Sequence, residues 1–199
     1  MATIKTCIAV LLLLCTWSSS IGQPVLESYP ELPETILLRK ELVFVAESQV
    51  GVRERTGKND GAEVEMYLRT VGLGKGYAWC AAYVTWCHEE LNIPNPQSAW
   101  SPSWFNSNVV YRKHHVRIRP FTSRKGQVFG LYYDNLKRIG HVGLITGEGK
   151  LHYYTVEGNT SGEGVREGDG VYRKIRRKEN IHIVSDFVGY KEIKEAMRK

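Results

Sequence analysis

The chain has 199 residues, 42% of them hydrophobic, and a formal charge of +6. Its basic residues are dispersed, with knots at YRKHHVRIR and YRKIRRKEN that alternate with apolar residues as strands with one solvated face do. No recognition motif accompanies that charge, so nucleic acid is excluded as a partner, while mild positive charge suits an anionic surface.

In chain order, Lys5 and the apolar run over residues 8–14 lead into small residues, with Ser20 and Gly22 in the minus-three and minus-one places for cleavage before Gln23. This reads as a signal peptide over 1–22. The run is too short for a bilayer span, which takes about 20 apolar residues, so the expected location is exported, periplasmic or secreted, with no membrane contact after cleavage. Leu14 stands where a lipid anchor on Cys15 would need a small residue. Removing the leader leaves roughly 177 residues without a fixed repeat, the size of one domain with a single core. The prolines of QPVLESYPELPE suggest an extended arm over 23–34, followed by the single domain over 35–190 and a tail over 191–199.

The first helix is expected over residues 35–50, after a proline, with Ile36, Val43, Ala46 and Val50 near one face. In AEVEMYLRTVG, Val64, Tyr67, Leu68 and Val71 take the i, i+3, i+4, i+7 spacing and Gly72 is the stop. A third helix is expected over residues 78–91, with Ala81, Val84 and Leu91 on one stripe and NIPNP ending it. SAWSPSWFNSNVVY reads as loop and short helix. The period then changes. GQVFGLYY, GHVGLIT, LHYYTVEGN, GVYRKIR and IHIVSDFV are short runs rich in Val, Ile and Tyr bounded by turn residues, as strands are. KEIKEAMRK reads as a frayed terminal helix. Helices followed by antiparallel strands make an α+β domain.

With the leader gone, two of the four cysteines remain, Cys80 and Cys87. On one helix their Cα atoms lie about 10.5 Å apart at ~1.5 Å per residue, beyond the ~7 Å limit for a disulfide. Cys80 sits in the first turn, where unpaired N–H groups and the helix dipole favour a thiolate. Cys87, two turns further in, reads as buried filler. A cysteine nucleophile needs a base and a group that fixes the base's tautomer. His88 projects away from Cys80, His114 and His115 sit in a cationic run, and His152 and His182 lack obvious partners. His141, in RIGHVGLITG, opens a core strand between glycines that permit close approach. In the next strand, alternation places Glu157 and Asn159 on one face. Glu157 is then placed to hold the imidazole, and Asn159 to orient either group.

These segments resemble the CHAP domains, cysteine and histidine-dependent amidohydrolases and peptidases with a papain-like core, and their NlpC-type relatives. The resemblance covers about residues 38–188. GYAWCAAYVTWC looks like the nucleophile helix, RIGHVGLITG like the histidine strand and TVEGNTS like the strand supplying Glu and Asn. Gly51, Glu54, Asn59 and Gly61 match a Gly-x-x-Glu and an Asn-x-Gly upstream. Gln127 departs from the acidic residue often found beside the glycine of KGQVFGL, and reads as a structural change.

The resemblance implies a papain-like fold, with N-terminal helices packed on a C-terminal antiparallel sheet. It also implies attack by Cys80 on an amide of a peptidoglycan stem peptide or of its link to muramic acid. His141 would be base and then acid, Glu157 its orienter and Asn159 an assistant, with the Cys80 N–H as one oxyanion donor. No metal or cofactor is required. Glu54, Trp79 and Trp100 are candidate substrate contacts, the aromatic faces being suited to sugars and peptide backbones, whereas Trp104 reads as core. Peptidoglycan or another peptide amide is the expected partner, and a protein inhibitor a conceivable one. The alternative is a catalytically inactive cell-wall-binding or interaction module of the same fold. A zinc site from Cys80, Cys87 and His88 with His114 or His115 has no common ligand spacing, and GLGKG lacks the rest of a phosphate loop. The NTS sequon at Asn159 would place a glycan over the site and is read as chance.

Overall fold

Leu32 and Pro33 open the first helix of the computed structural model, α1 (Pro33–Ser48). The structure describes residues 31–114, 121, 123–162 and 168–188. The signal peptide, residues 23–30 of the arm, His115 and the terminal helix expected in 191–199 lie outside the described residues. The helix therefore begins inside the segment read as an arm. Proline tolerates the first turn because its fixed φ is helical and its missing N–H has no partner to lose there.

The inner face of α1 is Thr35, Arg39, Leu42 and Ala46, not the expected face through Ile36, which is 41% exposed. Arg39 turns the helix. Its guanidinium is buried and donates to Asp186 Oδ2 at 2.8 Å and to the Lys125 carbonyl at 3.2 Å, while also pairing with Glu31. An apolar stripe read from sequence skips a charged residue that faces inward only because a distant carboxylate meets it. Gln127 joins this network, donating to Asp186 Oδ2 at 2.8 Å and accepting from the Arg124 N–H at 2.8 Å.

Helix α2 (Ala62–Arg69) buries Val64, Tyr67 and Leu68, with Val71 packed on the same core and Gly72 just beyond the end. Helix α3 (Cys80–Glu89) is buried at every position from Cys80 to His88, so the single stripe expected for it is too narrow. It packs between α1 and α2 and the central strands of the sheet. Tyr67 lies against Trp79, Tyr83 and Trp86, with ring centroids 5.7, 5.3 and 5.1 Å away. A short 3-10 turn, Ser101–Phe105, follows; it buries Trp104 fully, against His88 and Phe187.

The sheet has strands β1 (Val109–Arg112), β2 (Val128–Tyr133), β3 (Arg138–Glu148), β4 (His152–Thr160), β5 (Gly170–Arg177) and β6 (Ile183–Ser185). Their order is β1-β6-β2-β3-β4-β5 and every neighbouring pair is antiparallel. Strand β1 stands where the sequence suggests loop and short helix. It is a four-residue edge strand with a register shift, too short to show alternation. Val128, Val142, Leu144 and Val156 join the helices in the main core. Phe129, Ile145, Tyr153, Ile181 and Val184 form a second cluster, so successive residues of β2 and β3 serve two cores, as a period of two requires. The described residues make an α+β domain in which three α-helices precede a six-stranded antiparallel sheet. None of its helices is long and apolar enough to cross a membrane.

Candidate functional site

Cys80 is the first residue of α3, and no side chain of the helix caps that end. The cap comes from the sheet, where Asn159 Oδ1 accepts the Trp79 N–H at 3.0 Å. The first N–H groups of a helix have no carbonyl behind them, so the Cys80 sulfur sits in a field that favours negative charge. Its own contacts add to this field. Ser101 Oγ is 3.5 Å from the sulfur, and His141 and the backbone of Val142 lie near enough to lower the thiol's pKa.

His141 lies on β3 between two close approaches that only glycine permits. A Cβ at Gly140 would stand 2.3 Å from the Tyr133 ring, and one at Gly143 would stand 2.7 Å from Glu157 Cγ. The imidazole Nε2 is 2.9 Å from Glu157 Oε2, which leaves Nδ1 for the sulfur. Glu157 is fully buried and saturated: Thr155 Oγ1 and Arg176 Nε each donate to its Oε1 at 2.7 Å, and Arg176 Nη2 donates to its Oε2. The result is a hydrogen-bonded chain from Arg176 through Glu157 to His141, spanning β5, β4 and β3, with the Cys80 thiol at the tip of α3 beside the imidazole in the same cleft.

Burial opposes charge on all three inner members, and their mutual contacts decide the outcome. Burial raises the Cys80 thiol, but its bonds to His141, Ser101 and Val142 outweigh this and bring it down to about 7. Burial lowers the His141 imidazole, yet Cys80 and Glu157 hold it up at about 9. Burial likewise raises Glu157, and Arg176 followed by His141 pulls it down to about 2. The pair therefore holds thiolate and imidazolium together near neutral pH. That is the charge state of a nucleophile already stripped of its proton.

The remaining residues proposed from sequence fall in different places. Asn159 does not reach His141 or Glu157. The β4–β5 register slips between Glu157 and Thr160, and Asn159 adopts a left-handed φ of 52°, so strict alternation fails after Glu157. Its amide nitrogen is instead near Gly168 O, Asn59 Oδ1 and Glu54 Oε1, at 3.1, 3.2 and 3.4 Å. Asn159 thus ties the mouth of α3 to the loop before α2, and its amide is committed to these bonds.

Glu54 lines the cleft and accepts the Asn59 N–H at 2.8 Å and Trp79 Nε1–H at 2.9 Å. Trp79 is not a groove wall. It is fully buried among Tyr67 and Tyr83, because the residue preceding Cys80 turns inward under the helix mouth. Trp100 is 52% exposed, and the Arg138 guanidinium lies 3.9 Å from the centroid of its ring.

A cleft of about 390 Å³ opens onto Cys80 and His141 and is lined further by Glu54, Asn59, Arg138 and Arg176. Sequence reasoning misses Ser101, Thr155 and Arg176. The signal for Arg176 is faint: in β5, residues 172, 174 and 176 are half-buried while 173, 175 and 177 are exposed, an alternation hidden in the sequence by charge on both faces.

The other thiol and imidazoles stand apart. Cys87 is buried beside Tyr83, and burial pushes its thiol far above the usual range. His88 Nδ1 meets the Val84 carbonyl at 2.8 Å, and His182 stacks on Tyr132. Among the described residues, no three His, Cys, Asp or Glu side chains are grouped to hold a metal. No family model, curated protein or solved structure matches this chain.

Proposed function

We propose that this protein is an exported cysteine hydrolase of the CHAP and NlpC type, with a papain-like arrangement of helices and sheet, that cleaves an amide bond in peptidoglycan. The observation that carries the reading is a helix-tip thiol that shares one cleft with an imidazole and is lowered by it, the imidazole's Nε2 lying 2.9 Å from a buried carboxylate. A buried thiol that serves only as packing needs no such partners. Cys87 illustrates the difference: its burial outweighs the influence of the neighbouring Tyr83 hydroxyl and raises the thiol.

In the proposed reaction the Cys80 thiolate attacks the amide carbonyl carbon, forming a C–S bond and an oxyanion. The Cys80 N–H is one donor to that oxyanion; losing such a donor typically costs ~10²–10³ in rate. The oxyanion then collapses, the C–N bond breaks, and the imidazolium gives its proton to the departing amine. Water, deprotonated by His141, cleaves the thioester and restores the thiol pair. Glu157 holds the imidazole by Nε2 and stabilises its charge. Asn159 acts at one remove, by capping the turn that presents Cys80.

Incubating purified sacculi with the mature protein and with Cys80→Ala tests this by mass spectrometry of the soluble products. New muropeptides from the wild type alone are expected, and their termini distinguish an N-acetylmuramoyl-L-alanine amidase from a stem-peptide endopeptidase. Equal binding to the sacculi by both proteins with no products would overturn the hydrolase reading in favour of an inactive wall-binding module.

A further inference from the structure

The charges facing the cleft are not equally occupied. Both Glu54 oxygens accept hydrogen bonds, from Asn59 N–H and from Trp79 Nε1–H. Lys174 Nζ is spent on the carbonyls of Ser161 and Gly162, at 2.6 and 3.3 Å. Arg176 is paired with Glu157.

Arg138 differs. It opens β3, its Nη1 donates to the neighbouring Ile139 carbonyl at 2.9 Å, and among the described residues no carboxylate lies within ion-pair distance of it. The Trp100 ring covers one face of the guanidinium at 3.9 Å. Stacking holds the plane still and leaves N–H groups at its edge, the geometry that reads a carboxylate with two parallel bonds. Arg138 precedes His141 by three residues on one strand, about 10 Å at ~3.3 Å per residue.

We propose that Arg138, backed by Trp100, forms a carboxylate-reading subsite in the cleft, selecting amide substrates that carry a free carboxylate within about three residues of the scissile bond. This deepens the hydrolase reading and rests on it for the meaning of the scissile bond. It gives Trp100 a role in substrate selection through the arginine it steadies.

The test uses two probes: acetyl-L-alanyl-γ-D-glutamyl-L-lysine amide with the glutamyl α-carboxyl free, and the same peptide with that carboxyl converted to an amide. Calorimetry with full-length Cys80→Ala protein measures binding without turnover. The acid is expected to bind about tenfold more tightly than the amide, the scale of one charge-assisted hydrogen bond. Adding Arg138→Gln should abolish the preference, and adding Trp100→Ala should reduce it. Equal affinities, a preference that survives Arg138→Gln, or no binding of either peptide overturns the subsite. Cleavage by the wild type separates the two proposals. Selective binding without cleavage leaves the subsite standing and removes the hydrolase, whereas equal binding and cleavage of both peptides does the reverse.

Discussion

The two ends of α3 carry the same kinds of side chain and put them to opposite uses. At the N-terminal end, Cys80 meets His141; two turns on, Cys87 adjoins His88 in sequence. All four are buried. Yet Cys80 is brought down to about 7 and His141 up to about 9, while Cys87 is driven far above its usual range and burial lowers His88 to about 4. Burial alone makes thiols and imidazoles neutral. Charge survives at the first pair because the groups face each other, a saturated carboxylate stands behind the imidazole, and the sulfur lies at the open end of the helix. The Cys87–His88 end has none of these, since His88 spends its Nδ1 on a carbonyl one turn back in its own helix.

The largest effect expected from this contrast is in thiol chemistry. With its thiol near 7, Cys80 is partly ionised at pH 6, and iodoacetamide should modify it more than about 10²-fold faster than Cys87, read by peptide mass spectrometry. Because the shift is downward, the Cys80 rate should climb as pH rises through about 7, and in His141→Ala that midpoint should move up towards or beyond the ordinary thiol value. A rate unchanged by His141→Ala would break the comparison.

A smaller effect is expected from Arg176→Met, which leaves Glu157 buried with half its donors. Loss of one partner from such a pair costs about 3 kcal/mol, measurable by urea denaturation. Glu157 is held down at about 2, so its stabilisation is complete above the usual carboxylate value of 4.5 and is lost as pH falls through about 2. In Arg176→Met the folded value moves back towards 4.5, so less stability should be lost in acid and the loss should be complete at higher pH, and Arg176→Lys should restore part of the wild-type profile. Cys87→Ala should cost least, about 1 kcal/mol of packing, with muropeptide release within about threefold of wild type. A large loss of activity in Cys87→Ala with stability intact would show that the second thiol is more than filler.

Local chemistry made part of the site readable. A thiol after a glycine-rich loop and ahead of two alanines is a helix start, and His141 among glycines on an apolar run is a strand residue in a crowded place. Alternation along TVEGN put Glu157 on the face that meets it. The same rule failed two residues later, because Asn159 sits in a left-handed turn beside a register slip, and no periodic pattern anticipates a bulge. Arg176 escaped because β5 carries cations on both faces, so its sequence does not distinguish the arginine that meets a buried carboxylate from those that meet water. Trp79 was misplaced for a related reason: an aromatic beside a nucleophile is compatible with cleft or core, and only the Glu54 carboxylate beneath it decides.

The amino-acid sequence by itself determined the elements marked by local pattern, namely the three helices, the runs that hold strands β2 to β6 and the placement of Cys80 at a helix tip. Hydrophobic spacing and turn chemistry act over a few residues and need no distant partner. Tertiary structure alone decided the inward turn of Arg39, the edge strand β1, the capping role of Asn159 and the bracing of Glu157 by Arg176. Each of these depends on which polar groups meet across a long separation in the chain, and a buried charge takes its place from the counter-charge it finds.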